Sequence, residues 1–238
     1  MSEHIDNKYT LMQKRQYEND ANNWSISNPD PVVGSFHAHN DWADYEFLFK
    51  DIDDTNNKKL LDFGCGPGRN LVKYSKRFFQ IDGVDIATKN LENALLWIQY
   101  NNIEPEKHKL ILCNGVDLNN INNEEYDVVM STICMQHICV YEIRLNYFKE
   151  FYRVLKKGGS ITIQMGYGGY SPLKRSVDYY ANNYEALVTN GGCDTVISDY
   201  TQIEKDLNDI GFTNFKYYIR PCGPGDNHPS WIFFNAQK

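Results

Sequence analysis

The chain has 238 residues, 42% of them hydrophobic, and a net charge of −7. That is enough apolar material for one large domain, or one domain with an appendage, and the acidic balance argues against a nucleic-acid partner. No apolar run would span a bilayer, the opening stretch lacks the apolar core of a secretory signal, and none of the six cysteines has Cys-x-x-Cys spacing; the expectation is a cytoplasmic protein with reduced thiols and no membrane partner.

Lys8–Trp24 has a weakly apolar helical pattern, anchored by Tyr9, Met12, Tyr17 and Trp24, and Asn28-Pro29-Asp30-Pro31 ends it. The spacing of Trp42, Tyr45, Phe49 and Ile52 predicts a second helix over Asn40–Lys50. Residues 1–57 are read as an N-terminal helical cap. From there strands and helices alternate. Lys59–Phe63, Gln80–Val84, Lys109–Cys113, Tyr126–Thr132 and Ser160–Met165 read as strands. Pro67–Arg77, Thr88–Tyr100 (stripe Leu91, Leu95, Ile98) and Tyr141–Leu155 read as helices. This rhythm implies a mainly parallel sheet with helices on both faces, its ligand at the carboxyl ends of the strands.

Residues 166–197 break the rhythm. They form a tyrosine- and glycine-rich insertion, with a short helix expected over Ser176–Leu187. A helix over Asp199–Ile210, capped near Ser198, follows. Strands at Phe215–Arg220 and Ser230–Ala236 come last. The link between them is too short for a crossover helix, so they pair antiparallel. The expected fold is α/β: seven strands, mainly parallel with an antiparallel last strand, in a core over residues 58–238.

The stretch Leu60–Asn70, LLDFGCGPGRN, organises the core. An apolar strand runs into Asp62, and Gly64, Gly66 and Gly68 alternate after it, so the backbone can turn sharply and lie against a ligand. A dinucleotide fingerprint needs a third small residue for tight helix packing; counted from Gly64 and Gly66, that position is Arg69. Asp-x-Gly-x-Gly-x-Gly fits instead.

With that motif the chain resembles the class I (Rossmann-like) S-adenosylmethionine-dependent methyltransferases, strongly over residues 58–166. The resemblance implies S-adenosylmethionine as cofactor and S-adenosylhomocysteine as product. It assigns Asp62, Gly64, Cys65, Gly66 and Gly68 to the methionine part. Asp85, at the end of the second strand, would grip the ribose diol with its two acceptor oxygens, with Ile86 beside it. Asn114-Gly115-Val116-Asp117 would read the adenine, through either Asn114 or Asp117. YDVVMSTICMQHI, containing Ser131, resembles the fourth-strand motif, and RVLKKGG another, with Lys157 where proline is common. Tyr17 and Trp24 resemble the aromatic positions of a lid.

In-line methyl transfer to a hydroxyl or amine needs a base near the strand ends. His137 follows the fourth strand and is the first candidate; the alternative is that it only hydrogen-bonds the next helix. His37 and His39 flank Ala38 and would point the same way in an extended segment. They are the next catalytic candidates after His137; the readings are half a metal site with Asp41 or Asp44, a polar pocket wall contacting acceptor or cofactor, which is preferred, or a plain helix start, and no metal is assigned. Gln136, Tyr167, Tyr170, Arg220 and His228 are expected at the acceptor side. The function expected is methylation of oxygen, less favourably nitrogen, on a small molecule such as a sugar, a phosphorylated metabolite or a secondary metabolite. The alternatives are a nucleic-acid methyltransferase, a non-catalytic binding module and, disfavoured by Arg69, a dinucleotide oxidoreductase.

Overall fold

The structure is a computed structural model that describes residues 7–27, 45–171, 175–185, 193–223 and 227–238. His37, His39, Asp41, Asp44 and residues 40–44 of the expected Asn40–Lys50 helix lie outside these residues.

The strands are β1 Lys59–Phe63, β2 Gln80–Asp85, β3 Leu110–Leu112, β4 Tyr126–Ser131, β5 Leu155–Tyr167, β6 Ser176–Asp178, β7 Asp194–Ile197, β8 Thr213–Pro221 and β9 Ser230–Gln237. The helices are α1 Asn7–Asp20, α2 Tyr45–Phe49, α3 Arg69–Tyr74, α4 Thr88–Tyr100, α5 Tyr141–Val154 and α6 Tyr200–Ile210. All the strands form one sheet among the described residues, in order β3-β2-β1-β4-β5-β7-β6, with β9 on β5 and β8 on β9. The expected seven strands are present: β1 to β4 and β5 are parallel, and β9 runs antiparallel between β5 and β8.

The insertion overturns one expectation and adds two strands. No helix forms over the described part of Ser176–Leu187; Ser176–Asp178 is a strand, parallel to β7. The cause is β5, which outruns its neighbour. β4 ends with Ser131 opposite Ile163, while β7 pairs beyond it at Gly166 and Tyr167. Because β9 occupies the other edge of β5 through Ser160–Tyr167, β7 sits on the same edge as β4, above its tip. The inserted strands thus roof the carboxyl end of the sheet.

Arg144 of α5 holds that roof. Its guanidinium is fully buried and donates to the carbonyls of Ile138 and Tyr179 and to Thr195 Oγ1. Such a cation is tolerated inside because both terminal nitrogens of its fork are bonded, only Nε being left without a hydrogen bond. Tyr141 and Tyr179 both donate to Asp206 of α6, which joins the insertion to the last helix. α6 is capped by Asp199 through Thr201 N–H, with Gln202 closing the capping box, one residue after the expected position.

The core lies on both faces of the sheet. One face packs Phe63, Tyr147, Phe148, Phe151 and Phe234; the other packs Leu60, Leu71, Phe78, Ile98 and Phe233. On α4 the buried apolar residues are Ala94, Trp97 and Ile98, whereas Leu95 is exposed, which corrects the expected stripe. All six cysteines are free thiols, four of them buried. Among the described residues no helix is long and apolar enough to cross a membrane.

Candidate active site

A cavity of about 240 Å³ opens at the carboxyl ends of β1, β2 and β4. Its floor is the glycine turn after β1. Gly64, Gly66 and Gly68 all have positive φ, of 70°, 52° and 87°. Gly64 cannot carry a side chain, since a Cβ there would lie 2.0 Å from Cys134 Sγ. A Cβ on Gly68 would lie 2.9 Å from the Cβ of Ala94, so this glycine lets α3 approach α4.

Asp85 ties the turn to β2. Gly66 N–H donates to its Oδ2 at 2.9 Å; Ala87 N–H and Asn90 Nδ2 donate to Oδ1 at 2.9 and 3.2 Å. Burial raises its pKa, and these bonds only partly oppose that. Asp62 lies under the turn, 1% exposed, and accepts from Asn70 Nδ2, which also donates to Thr132 Oγ1. Burial pushes the Asp62 carboxyl up to about 7, against the lowering effects of Asn70 and Arg69.

α1 forms one wall. Tyr9, Gln13, Tyr17 and Asp20, spaced for a single helical face, all line the cavity, followed by Trp24. Tyr17 and Trp24 lie with ring centroids 6.4 Å apart. Glu18 fixes this helix by accepting from Thr88 and Lys89 N–H at the start of α4, at 2.8 and 3.0 Å, where a carboxylate is favoured by unpaired amides. The Tyr9 hydroxyl accepts from Cys139 N–H at 2.6 Å, and Gln13 donates to the carbonyl of His137 at 2.8 Å. α1 therefore also pins the 3₁₀ turn Met135–His137.

His137 lines the cavity, and its Nδ1 lies 2.8 Å from Oδ1 of Asp194 at the start of β7. Burial alone would lower its pKa; the Asp194 carboxylate outweighs that and holds it above the ordinary imidazole value. The Asp194 pKa is itself lowered: burial opposes this, and His137, His228 and Asn227 prevail.

Of the residues singled out in the sequence, Tyr17, Trp24, Gly64, Cys65 and Gly66 line the cavity, as do Asp85, Ile86, Gly115 and His137. Others are placed differently. Asn114 Oδ1 accepts from Val116 and Asp117 N–H, and its Nδ2 donates to Asp117, so both side chains hold the turn around Gly115. Ser131 donates to the carbonyl of Phe63 beneath the turn. Gln136 is buried with neither end hydrogen-bonded. Tyr167 closes β5 against Ile197, Tyr170 is exposed, and the Arg220 guanidinium lies over the Phe233 ring. His228 is buried behind Asp194.

The sequence reading missed Gln13, Asn70, Asn90 and Asp194. Tyr9, read there only as a helix anchor, lines the cavity. Its i, i+4, i+8 relation to Gln13 and Tyr17 was the available signal; Asp194 had none.

The cavity suits S-adenosylmethionine. The glycine turn offers bare main chain. The buried Oδ1 atoms of Asn70 and Asn90, both on cavity-lining side chains, and Oδ2 of Asp62 have no hydrogen-bond partner. Unmet acceptors match a ligand that carries an ammonium and two ribose hydroxyls as donors.

Residues 61–163 match the model of a methyltransferase domain. Two curated relatives, ubiquinone biosynthesis O-methyltransferases of two strains of Rickettsia bellii, are 29% identical over 109 residues, 45% of this chain. The chain matches only 42% of the length of those relatives. A S-adenosylmethionine-dependent methyltransferase of Methanosarcina mazei superposes with TM-score 0.61 at 19% identity, covering 77% of this chain and 93% of that one. Phosphoethanolamine N-methyltransferase 2 of Haemonchus contortus, solved with phosphomonomethylethanolamine and S-adenosylhomocysteine, gives 0.66 at 19% identity, covering 97% of this chain and 60% of that one. Residues 61–163 thus carry a methyltransferase domain, the chain has the fold of the class I S-adenosylmethionine-dependent methyltransferases, and a glycine turn and an acidic second-strand end meet on one cavity, as that domain requires.

Proposed function

We propose that the protein moves a methyl group from S-adenosylmethionine to an oxygen of a small molecule, nitrogen being the less favoured acceptor atom. The observation that carries this reading is an imidazole in the cavity wall, His137, backed at 2.8 Å by a buried carboxylate. An oxygen acceptor must lose a proton as its new bond forms, and an imidazole nitrogen with its lone pair free is suited to take it. The O-methyltransferase activity named for the curated relatives supports the same choice.

The cofactor supplies an electrophilic methyl group on a positively charged sulfur. Asp62 and the Gly64–Gly68 turn would hold its amino-acid part, Asp85 its ribose, and Ile86 with the backbone at Gly115 its base. His137 would take the acceptor proton on Nε2, because Nδ1 faces Asp194, and the carboxylate would stabilise the imidazolium. α1 would act as a lid: its aromatic side chains, with Trp24, shield the reacting centre from water.

The test is incubation of the chain with methyl-labelled S-adenosylmethionine and a metabolite extract fractionated into hydroxyl-, amine- and phosphate-bearing pools. Label in a hydroxyl-bearing pool, lost with His137→Ala, is expected. Label appearing only in amines would overturn the choice of oxygen, and label only in added RNA or DNA would overturn the small-molecule reading.

A further inference from the structure

Asp194 meets two histidines. It is 4% exposed, and its Oδ1 faces His137 Nδ1 at 2.8 Å. Its Oδ2 accepts from Asn227 Nδ2 at 3.2 Å and lies 3.5 Å from His228 Nε2. His228 is 2% exposed, and its other ring nitrogen lies 3.4 Å from Cys222 Sγ. The ring is clamped. It stands edge-on to Trp231 at 4.2 Å and presses on Gly166, where a Cβ would come within 2.6 Å of it. Both β7 and the link from β8 to β9 lie outside the matched residues 61–163.

A carboxylate buried alone takes up a proton and goes neutral. A neutral Asp194 would stop favouring a proton on His137 Nδ1, and the lone pair at Nε2 would no longer be assured. Something must keep Asp194 ionised and fixed. We propose that Asp194 and His228 are positioning residues: the carboxylate bridges the cavity-side imidazole and a buried second imidazole, and so holds His137 with Nδ1 protonated and Nε2 free toward the acceptor. This rests on reading His137 as the base. The other groups around the bridge are Cys193 just before β7, Tyr9 and Gln13 of α1 at the His137 carbonyl, Arg144 of α5 at the Ile138 carbonyl, and Cys222 and Asn227 of the link.

The two partners act on His137 in opposite senses. Asp194→Asn removes the attracting charge. His228→Phe keeps a ring against Gly166 and Trp231 but leaves the whole carboxylate charge to His137. The experiment follows the His137 imidazole by ¹H–¹⁵N correlation spectra of the full chain with S-adenosylhomocysteine bound, with His137→Ala for assignment. The expected midpoint of titration falls by about one unit or more in Asp194→Asn and rises by roughly half a unit in His228→Phe. The Nδ1–H tautomer is expected in the unsubstituted protein and its excess is expected to vanish in Asp194→Asn. On an acceptor that the chain methylates, both variants should lower kcat by about tenfold or more with little change in cofactor affinity, and the acid limb of the pH profile should move in the same opposite directions. An unchanged midpoint in His228→Phe, or shifts of the same sign in both variants, overturns the bridge; His228→Phe alone decides if Asp194→Asn does not fold. Normal coupling with no methyl transfer to any acceptor would instead refute the functional reading and leave the bridge standing.

Discussion

Asp85→Asn separates binding from folding. A carboxylate offers about four lone-pair sites. Oδ1 uses its two on Ala87 N–H and Asn90 Nδ2, and Oδ2 uses one on Gly66 N–H. Ile86 N–H also favours the carboxylate from close by, and the second site on Oδ2 is the one these bonds leave for a ribose hydroxyl. A charge-assisted hydrogen bond contributes about 1.5–3 kcal/mol, which is roughly a ten- to 150-fold change in affinity. The asparagine oxygen can keep the two bonds of Oδ1, but its amide faces Gly66 N–H, leaving a donor unmet at a cost of about 1–3 kcal/mol. Relief of a buried charge offsets part of that, since burial already disfavours the ionised Asp85. The melting temperature should thus fall by less than about 10 °C. Titration calorimetry at pH 8 with S-adenosylhomocysteine should show Kd raised by at least about tenfold in a folded protein. An unchanged Kd would remove Asp85 from the ribose site and refute the reasoning.

Gly64→Ala should be far more damaging, because φ is +70° and the new Cβ would meet Cys134 Sγ at 2.0 Å and Cβ at 2.6 Å. Thermal melts should show a loss that Cys134→Gly repairs in large part and Cys134→Ala does not; equal repair by both would contradict the contact. Asp62 has a folded pKa of about 7 against about 3.9 unfolded. The folded state then holds a proton that the unfolded state has lost, so stability falls as pH rises from about 4 to 7, by roughly 4 kcal/mol at full extent. Asp62→Asn should flatten denaturant-measured stability across that window, and parallel curves for the two proteins would sink the assignment. His137→Ala should leave S-adenosylhomocysteine affinity within about threefold while lowering kcat by about 10²-fold or more; unchanged turnover would return the residue to a structural role.

Much of the core was legible because its signals are local. The alternating glycines required positive φ, and all three have it. Asp85 ends β2 as expected, and the core strands fall within two residues of their expected ends except β5, which begins at Leu155 and not at Ser160. The insertion was not legible. Ser176–Leu187 carries tyrosines at helix-like spacing, yet what decides its shape is the open edge of β5 beyond Ile163, to which β7 and then β6 add. Tertiary pairing of this kind overrides local preference. Asn114 stands in the expected segment, but its side chain bonds its own turn, as asparagine readily does. Asp194 has no motif around it. Its meaning comes from the roof that brings it over His137.

The most direct test of the account is a single-turnover reaction of the full chain with methyl-labelled S-adenosylmethionine and the acceptor pool, with both S-adenosylhomocysteine and labelled product quantified. The account predicts their formation in equal amounts, with the label on a hydroxyl oxygen and the reaction dependent on His137. Binding of S-adenosylhomocysteine with no label leaving the cofactor for any pool would contradict catalysis, and failure of the chain to bind S-adenosylhomocysteine at all would contradict the cofactor site itself.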